Sequence, residues 1–178
     1  KLLAKKFFNF FELEIKRTAK KRDKNLPTLP RKTMPEALEH LRTLGFFPKT
    51  VVDVGAAFGT MELLKTFPKA EHILLEPLIE YEPFLKKLQQ QYNIKYIFAG
   101  VGKRNEKLTI NVHPDLQGSS LYNEMDGKDA DGIPREISII TLDELIPKYN
   151  ITNDVLLKVD VQGTELDVLD GGNNFLNS

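Results

Sequence analysis

The chain has 178 residues, 41% apolar and 28% charged, the proportions of a globular protein with room for one domain and a short appendage. It contains no cysteine, which excludes disulfide frameworks, thiolate-bound zinc, iron–sulfur clusters and thiol catalysis within this sequence and suits a reducing, cytoplasmic location. Lys+Arg and Asp+Glu number 25 each, so no global field would gather nucleic acid, and no apolar run approaches the roughly 18 residues that cross a bilayer.

The neutral total conceals a split. Residues 1–32 carry 11 basic and 3 acidic side chains, leaving 14 basic and 22 acidic for residues 33–178. A basic arm therefore precedes an acidic body, and the two are treated as separate regions, 1–32 and 33–178. The chain opens at Lys1 without an initiator Met and stops at Ser178 just past a predicted helix, so it reads as a fragment.

In the arm, Leu3, Phe7, Phe10 and Phe11 recur at helical spacing among Lys1, Lys5, Lys6 and Lys16. Two readings follow: a helix in peripheral contact with an anionic membrane surface, or a helix packed on the body's own acidic surface. Leu26-Pro27-Thr28-Leu29-Pro30 is a proline-stiffened linker.

Thr33-Met34-Pro35-Glu36 then opens the body with a helix start: a capping hydroxyl, an early proline and a carboxylate three residues on. Leu38, Leu41 and Leu44 supply its buried stripe, and Gly45 its left-handed stop. From there strands and helices alternate. Thr50–Val54, His72–Glu76, Tyr96–Ala99 and Val155–Val161 read as strands, with helical faces at Met61, Leu64 and Phe67 and from Tyr81 to Tyr92. Leu108–Val112 and Glu136–Ile140 bracket a long Gly/Asp-rich loop. Thr141-Leu142-Asp143-Glu144 is a second capping box, opening a helix through Ile146, and Leu166, Val168 and Leu169 begin the last helix. Alternation of this kind predicts right-handed crossovers and a mostly parallel α/β sheet, with ligands beyond the carboxyl ends of its strands.

Three stretches lie at such ends. Asp53-Val54-Gly55-Ala56-Ala57-Phe58-Gly59 turns from strand to helix on small residues that let a ligand approach the backbone. Its spacing is neither the dinucleotide fingerprint nor a P-loop, and Asp53 repels phosphates while suiting a cation. Glu76-Pro77 follows about 20 residues later, where a carboxylate can accept hydrogen bonds from the vicinal hydroxyls of a ribose. Together these describe an adenosine-type ligand of positive charge, for which S-adenosylmethionine is the common cofactor. In the third, Lys158 and Asp160 stand two apart near the end of an apolar strand, on one side of the sheet, where buried charges need partners. Thr164 reads as a helix cap and Glu165 as a first-turn carboxylate favoured by the helix dipole.

Gly45 to Ala56, Glu76-Pro77, Thr141-Leu142-Asp143 and the run Lys158-Val159-Asp160-Val161-Gln162-Gly163-Thr164-Glu165, followed by Val168-Leu169 and Gly171-Gly172, resemble the FkbM family of S-adenosylmethionine-dependent methyltransferases over about residues 36–176. The resemblance implies a Rossmann-like class I methyltransferase fold with helices on both faces of the sheet, and further strands beyond the last helix of this chain. It also implies that Asp53, Gly55 and Gly59, with Ala56 and Ala57 in the same turn, cradle the methionine part of the cofactor. Glu76, beside Pro77, would hold the ribose, and Ala99-Gly100-Val101-Gly102 would line the adenine. Many family members carry Asn where this chain has Ala57.

The expected reaction is O-methylation of a small-molecule or glycan hydroxyl. Asp160, at the strand mouth facing the cofactor cleft, is a cofactor-binding candidate and would orient the acceptor or take its proton, Lys158 would tune it, and His113 is a second candidate base. A donor-binding module without turnover and a nicotinamide-dependent oxidoreductase are the alternatives; the loop spacing and Asp53 weigh against the latter. Asp126, Asp129, Asp131 and Gly132 fail the register of a calcium loop, so no metal site is expected and the segment reads as an acidic lid. Asn150-Ile151-Thr152 is read as a chance glycosylation sequon.

Overall fold

A computed structural model describes residues 32–121, 132–152 and 154–177. The arm helix, the proline linker and the acidic segment with Asp126, Asp129 and Asp131 lie outside the described residues.

Helix α1 (Met34–Thr43) starts as its sequence requires. The Thr33 hydroxyl accepts the Glu36 amide while the Glu36 carboxylate accepts the Thr33 amide, and Gly45 leaves the helix at φ +82°. Strand β1 (Thr50–Val54) follows, then α2 (Met61–Thr66), β2 (Glu71–Leu75), a 3₁₀ turn at Ile79–Tyr81, α3 (Glu82–Gln89) and β3 (Ile94–Ile97). After these come β4 (Gly100–Val101), β5 (Glu106–Val112), β6 (Ile133–Ile140), α4 (Leu145–Tyr149), β7 (Val155–Val159) and α5 (Glu165–Asp170).

The main sheet is wholly parallel in the order β3-β2-β1-β7. The chain winds outward from β1 to β3 and later returns to β7 on the other side of β1. The order therefore reverses between β1 and β7, where a doubly wound sheet opens its crevice. Every residue of β1 is buried, as an interior parallel strand must be. Its side chains alternate: Val51 packs with Leu38, Leu63 and Phe67 under α1 and α2. Val52 and Val54 pack with Leu142, Leu145 and Val168 under α4 and α5. Helices thus cover both faces, in a Rossmann-like α/β arrangement.

One part was not foreseen. β5 and β6 pair antiparallel from Glu106↔Ile139 to Val112↔Ile133, and β4 joins β6 in parallel, making a separate three-stranded sheet. Its Ile110, Val112, Ile137 and Ile139 pack with Leu78, Tyr81 and Leu85, and the three isoleucines wall one side of the crevice. Gly100 and Val101, expected as a turn, are that short strand. The box at Thr141 is only half formed. Its hydroxyl accepts the Glu144 amide at 3.4 Å, whereas Asp143 reaches forward to the amides of Asn174 and Phe175. The helix runs from Leu145 to Tyr149, where Asn150 at φ +51° ends it, rather than ending at Ile146. Among the described residues, no helix is long and apolar enough to cross a membrane.

Candidate active site

The crevice opens between the turn after β1, the end of β2, the β7 edge and the β5–β6 ribbon. Its floor is the turn after β1. Gly55 takes φ +71°, and a Cβ placed there would stand 2.0 Å from the Asp160 carbonyl oxygen, so only glycine lets β1 and β7 part at this point. Ala57 also takes a positive φ, +46°, which costs an alanine about 1 kcal/mol.

Glu76 directly follows β2 and is buried at 5% exposure, yet it borders the crevice. Its Oε2 accepts the Ala57 amide at 2.8 Å and its Oε1 the Leu78 amide at 3.0 Å. Burial pushes this carboxyl above the usual range; the two amides and the nearby Lys158 charge oppose that, while Asp53 adds to it. One carboxylate thus ties two turns together and retains a lone pair on each oxygen.

Asp53 is placed differently from expectation. It does not border the crevice: its side chain is 3% exposed, with Oδ2 accepting the Thr60 amide at 3.2 Å and Oδ1 3.0 Å from Lys158 Nζ. Oδ1 meets no hydrogen-bond donor at a suitable angle, so the ammonium charge is its compensation. Asp160, expected among buried charges, is instead 80% exposed, at the crevice edge. Lys158 lies below that edge, 13% exposed, with Nζ 3.6 Å from Asp160 Oδ2.

Gly55, Ala57, Glu76, Pro77, Gly100, Val101 and Asp160 therefore share one cavity wall, while Asp53, Ala56, Gly59, Lys158 and His113 do not line it. Ala56 is buried in the core, and Gly59, at φ +87°, closes the turn against Leu88. His113 pairs with Asp115 through Nδ1 at 2.8 Å, and its amide donates to Ser119 Oγ at 3.0 Å. That places Ser119, not the imidazole, in the crevice wall. Thr164 makes no capping bond and lines the cavity instead. Sequence reasoning also missed Tyr81, Gln117 and Ser120 there; the run Gly118-Ser119-Ser120 of small residues was the available signal. Among the described residues, no cluster of His, Asp and Glu could hold a metal ion.

A sequence profile of the methyltransferase FkbM domain matches residues 53–178, well over half of the chain. The chain belongs to the FkbM methyltransferase domain family. The matched region contains the turn after β1, the end of β2 and the β7 edge. A crystal structure of methyltransferase FkbM from Methylobacillus flagellatus KT resembles it at 18% identity and a TM-score of 0.48, over 71% of this chain and 29% of that one. The FkbM domain described here thus spans less than a third of that relative's length. No curated protein matches the sequence.

Proposed function

We propose that this FkbM domain transfers a methyl group from S-adenosylmethionine to a hydroxyl oxygen of a small molecule or glycan. The observation that supports this most is Glu76, a buried carboxylate that borders the crevice with an acceptor site left on each oxygen. Two vicinal hydroxyls are the natural donors to such a group. The crevice and the layer beneath its floor hold three carboxylates, Asp53, Glu76 and Asp160, against one ammonium, Lys158, a negative surplus that favours a cationic ligand over a pyrophosphate.

S-adenosylmethionine, when bound, supplies a methyl group already activated on a sulfonium, for in-line displacement onto the acceptor oxygen. The rest is the work of this chain. Gly55 and Ala57 offer backbone without side-chain bulk to the methionine part, Glu76 takes the ribose, and Gly100, Val101 and Ile139 form an apolar slot for the base. Asp160, the exposed carboxylate at the edge, orients the acceptor hydroxyl and takes its proton. Holding the two reactants together supplies several kcal/mol of the barrier reduction, on the order of 7–11 for a fully aligned pair.

The test is calorimetry of the full-length protein with S-adenosylmethionine, S-adenosylhomocysteine and NAD. Both sulfur ligands are expected to bind and NAD is not; the reverse pattern ends this reading. Labelled-methyl transfer to small-molecule and glycan hydroxyls then separates an enzyme from a module that binds without turnover.

A further inference from the structure

Lys158 belongs to β7, yet its side chain reaches across the reversal in strand order to β1. Nζ donates to the Gly55 carbonyl at 2.9 Å and, at a long 3.5 Å, to that of Val54. On its other sides lie Asp53 Oδ1 at 3.0 Å and Asp160 Oδ2 at 3.6 Å. These partners differ in kind. Two are main-chain oxygens of the turn that floors the crevice, one is a buried carboxylate, and one is an exposed carboxylate at its edge.

The turn has a particular need for such a donor. The Val54 carbonyl still receives a sheet bond, from the Asp160 amide at 3.1 Å. Gly55, at φ +71°, has left the strand, and its carbonyl points to where the Lys158 ammonium sits. An ammonium carries three protons, so it can serve two carbonyls at once while its charge offsets the carboxylate beside it. Asp53 in turn explains why a charged donor is tolerated at 13% exposure: a buried ammonium needs an anion beside it.

We infer that Lys158 is the positioning residue of the turn that receives the methyl donor. It acts through hydrogen bonds to the Gly55 and Val54 carbonyls, and Asp53 anchors the ammonium rather than meeting the ligand. This rests on the reading of the turn as the donor site. It reassigns both residues, since charge patterning alone gave Asp53 to the ligand and Lys158 to the tuning of Asp160.

The test compares Asp53→Asn, which keeps the ammonium, with Asp53→Asn/Lys158→Met, which removes both buried charges together. S-adenosylhomocysteine is the probe, titrated calorimetrically into the full-length protein. The single variant, in which Asp160 and the two carbonyls still hold the ammonium, is expected to bind within threefold of the unmodified protein at a lowered thermal midpoint, and the double variant, with no unpaired buried charge, to melt higher than the single yet bind at least tenfold more weakly. In the ligand-free proteins, amide exchange over residues 54–60 should be faster in the double variant than in the single, while β2 is unchanged. Full affinity in the double variant overturns the inference, and so does a single variant as weak as the double, because Asp53 would then be the contact. Failure of the double variant to fold overturns it as well, since Lys158 would be holding the fold rather than the turn. Should the unmodified protein bind no S-adenosylhomocysteine, the donor reading falls and the exchange comparison decides the role of Lys158.

Discussion

The carboxylate of Glu76 accepts the amide hydrogen of Ala57, 19 residues earlier in the chain, at 2.8 Å. The bond joins the end of β2 to the turn after β1, and it holds Ala57 at φ +46°. Converting Glu76 to Gln puts an NH2 group, which donates only, where one oxygen accepted. Affinity for S-adenosylhomocysteine is expected to fall about 10- to 100-fold, the loss of roughly 1.5–3 kcal/mol that accompanies a bond to a charged acceptor. The pH dependence has a fixed sign. Burial raises the Glu76 pKa above its ordinary 4.5, so the native state favours the proton. Its contribution to stability is complete below the unfolded value and is lost as pH rises through the folded one. Ligand affinity runs the other way, weakening as pH falls and the carboxylate gains its proton. Calorimetry over a pH series, with Glu76→Gln as the flat control, checks both.

Gly55 and Gly45 separate two costs that usually arrive together. Both take positive φ, +71° and +82°. A Cβ at Gly45 meets nothing within 4 Å, while at Gly55 it meets the Asp160 carbonyl oxygen at 2.0 Å. Gly45→Ala is therefore expected to cost about 1 kcal/mol, the left-handed penalty alone. Gly55→Ala should cost about 3–5 kcal/mol, because a backbone neighbour must move. Urea denaturation of the two variants measures the difference; equal losses would mean that β1 and β7 part freely at this point.

The apolar runs that became β1, β2 and β7 were legible because an interior parallel strand has to be apolar on both faces. The start of α1 was legible because all its partners lie within four residues. Glu76 was found from its place at a strand end. The direction of Asp53 was readable and was overlooked: it alternates with Val52 and Val54 and shares the face of Val51, so it turns inward beneath α2 rather than across the crevice. Other features had no local signature. The antiparallel ribbon of β5 and β6 joins segments separated by a long loop, and Asp143 finds its partners 31 and 32 residues away. Pairing at such separation leaves no periodicity to read. His113 drew attention as a histidine, whereas its amide does the placing, by bonding Ser119.

His72 lies on β2, 1% exposed, with Nε2 2.9 Å from the Phe67 carbonyl oxygen. Burial lowers its pKa below 6.5, against the opposing pull of that carbonyl and of the Asp53 charge. The native state holds the ring neutral while the unfolded chain accepts a proton below pH 6.5. Stability is thus complete above that value and falls as pH drops toward the folded pKa, by at most about 1.4 kcal/mol per pH unit. His72→Gln, which keeps a donor for Phe67, should remove this slope. Urea midpoints between pH 5 and 7.5 read it directly, and an unchanged slope would assign the acid sensitivity to other groups.

Asp160 combines two properties that rarely coincide in this crevice: its backbone is fixed, and its carboxylate is free to meet an acceptor. The amide bonds the Val54 carbonyl at 3.1 Å and the carbonyl lies against Gly55, yet the side chain is 80% exposed. Asp160→Asn preserves the shape and the backbone contacts while removing the proton acceptor. Turnover is expected to fall about 10²- to 10⁴-fold, the range that a positioned general base contributes. The Kd for S-adenosylhomocysteine should stay within about threefold, because the donor's hydroxyls are assigned to Glu76 and its turn to Gly55; on the free-energy scale that is under about 0.7 kcal/mol. Single-turnover methyl transfer alongside calorimetry distinguishes the cases. A parallel loss of affinity would move Asp160 from the acceptor to the donor, and unchanged turnover would remove it from the chemistry.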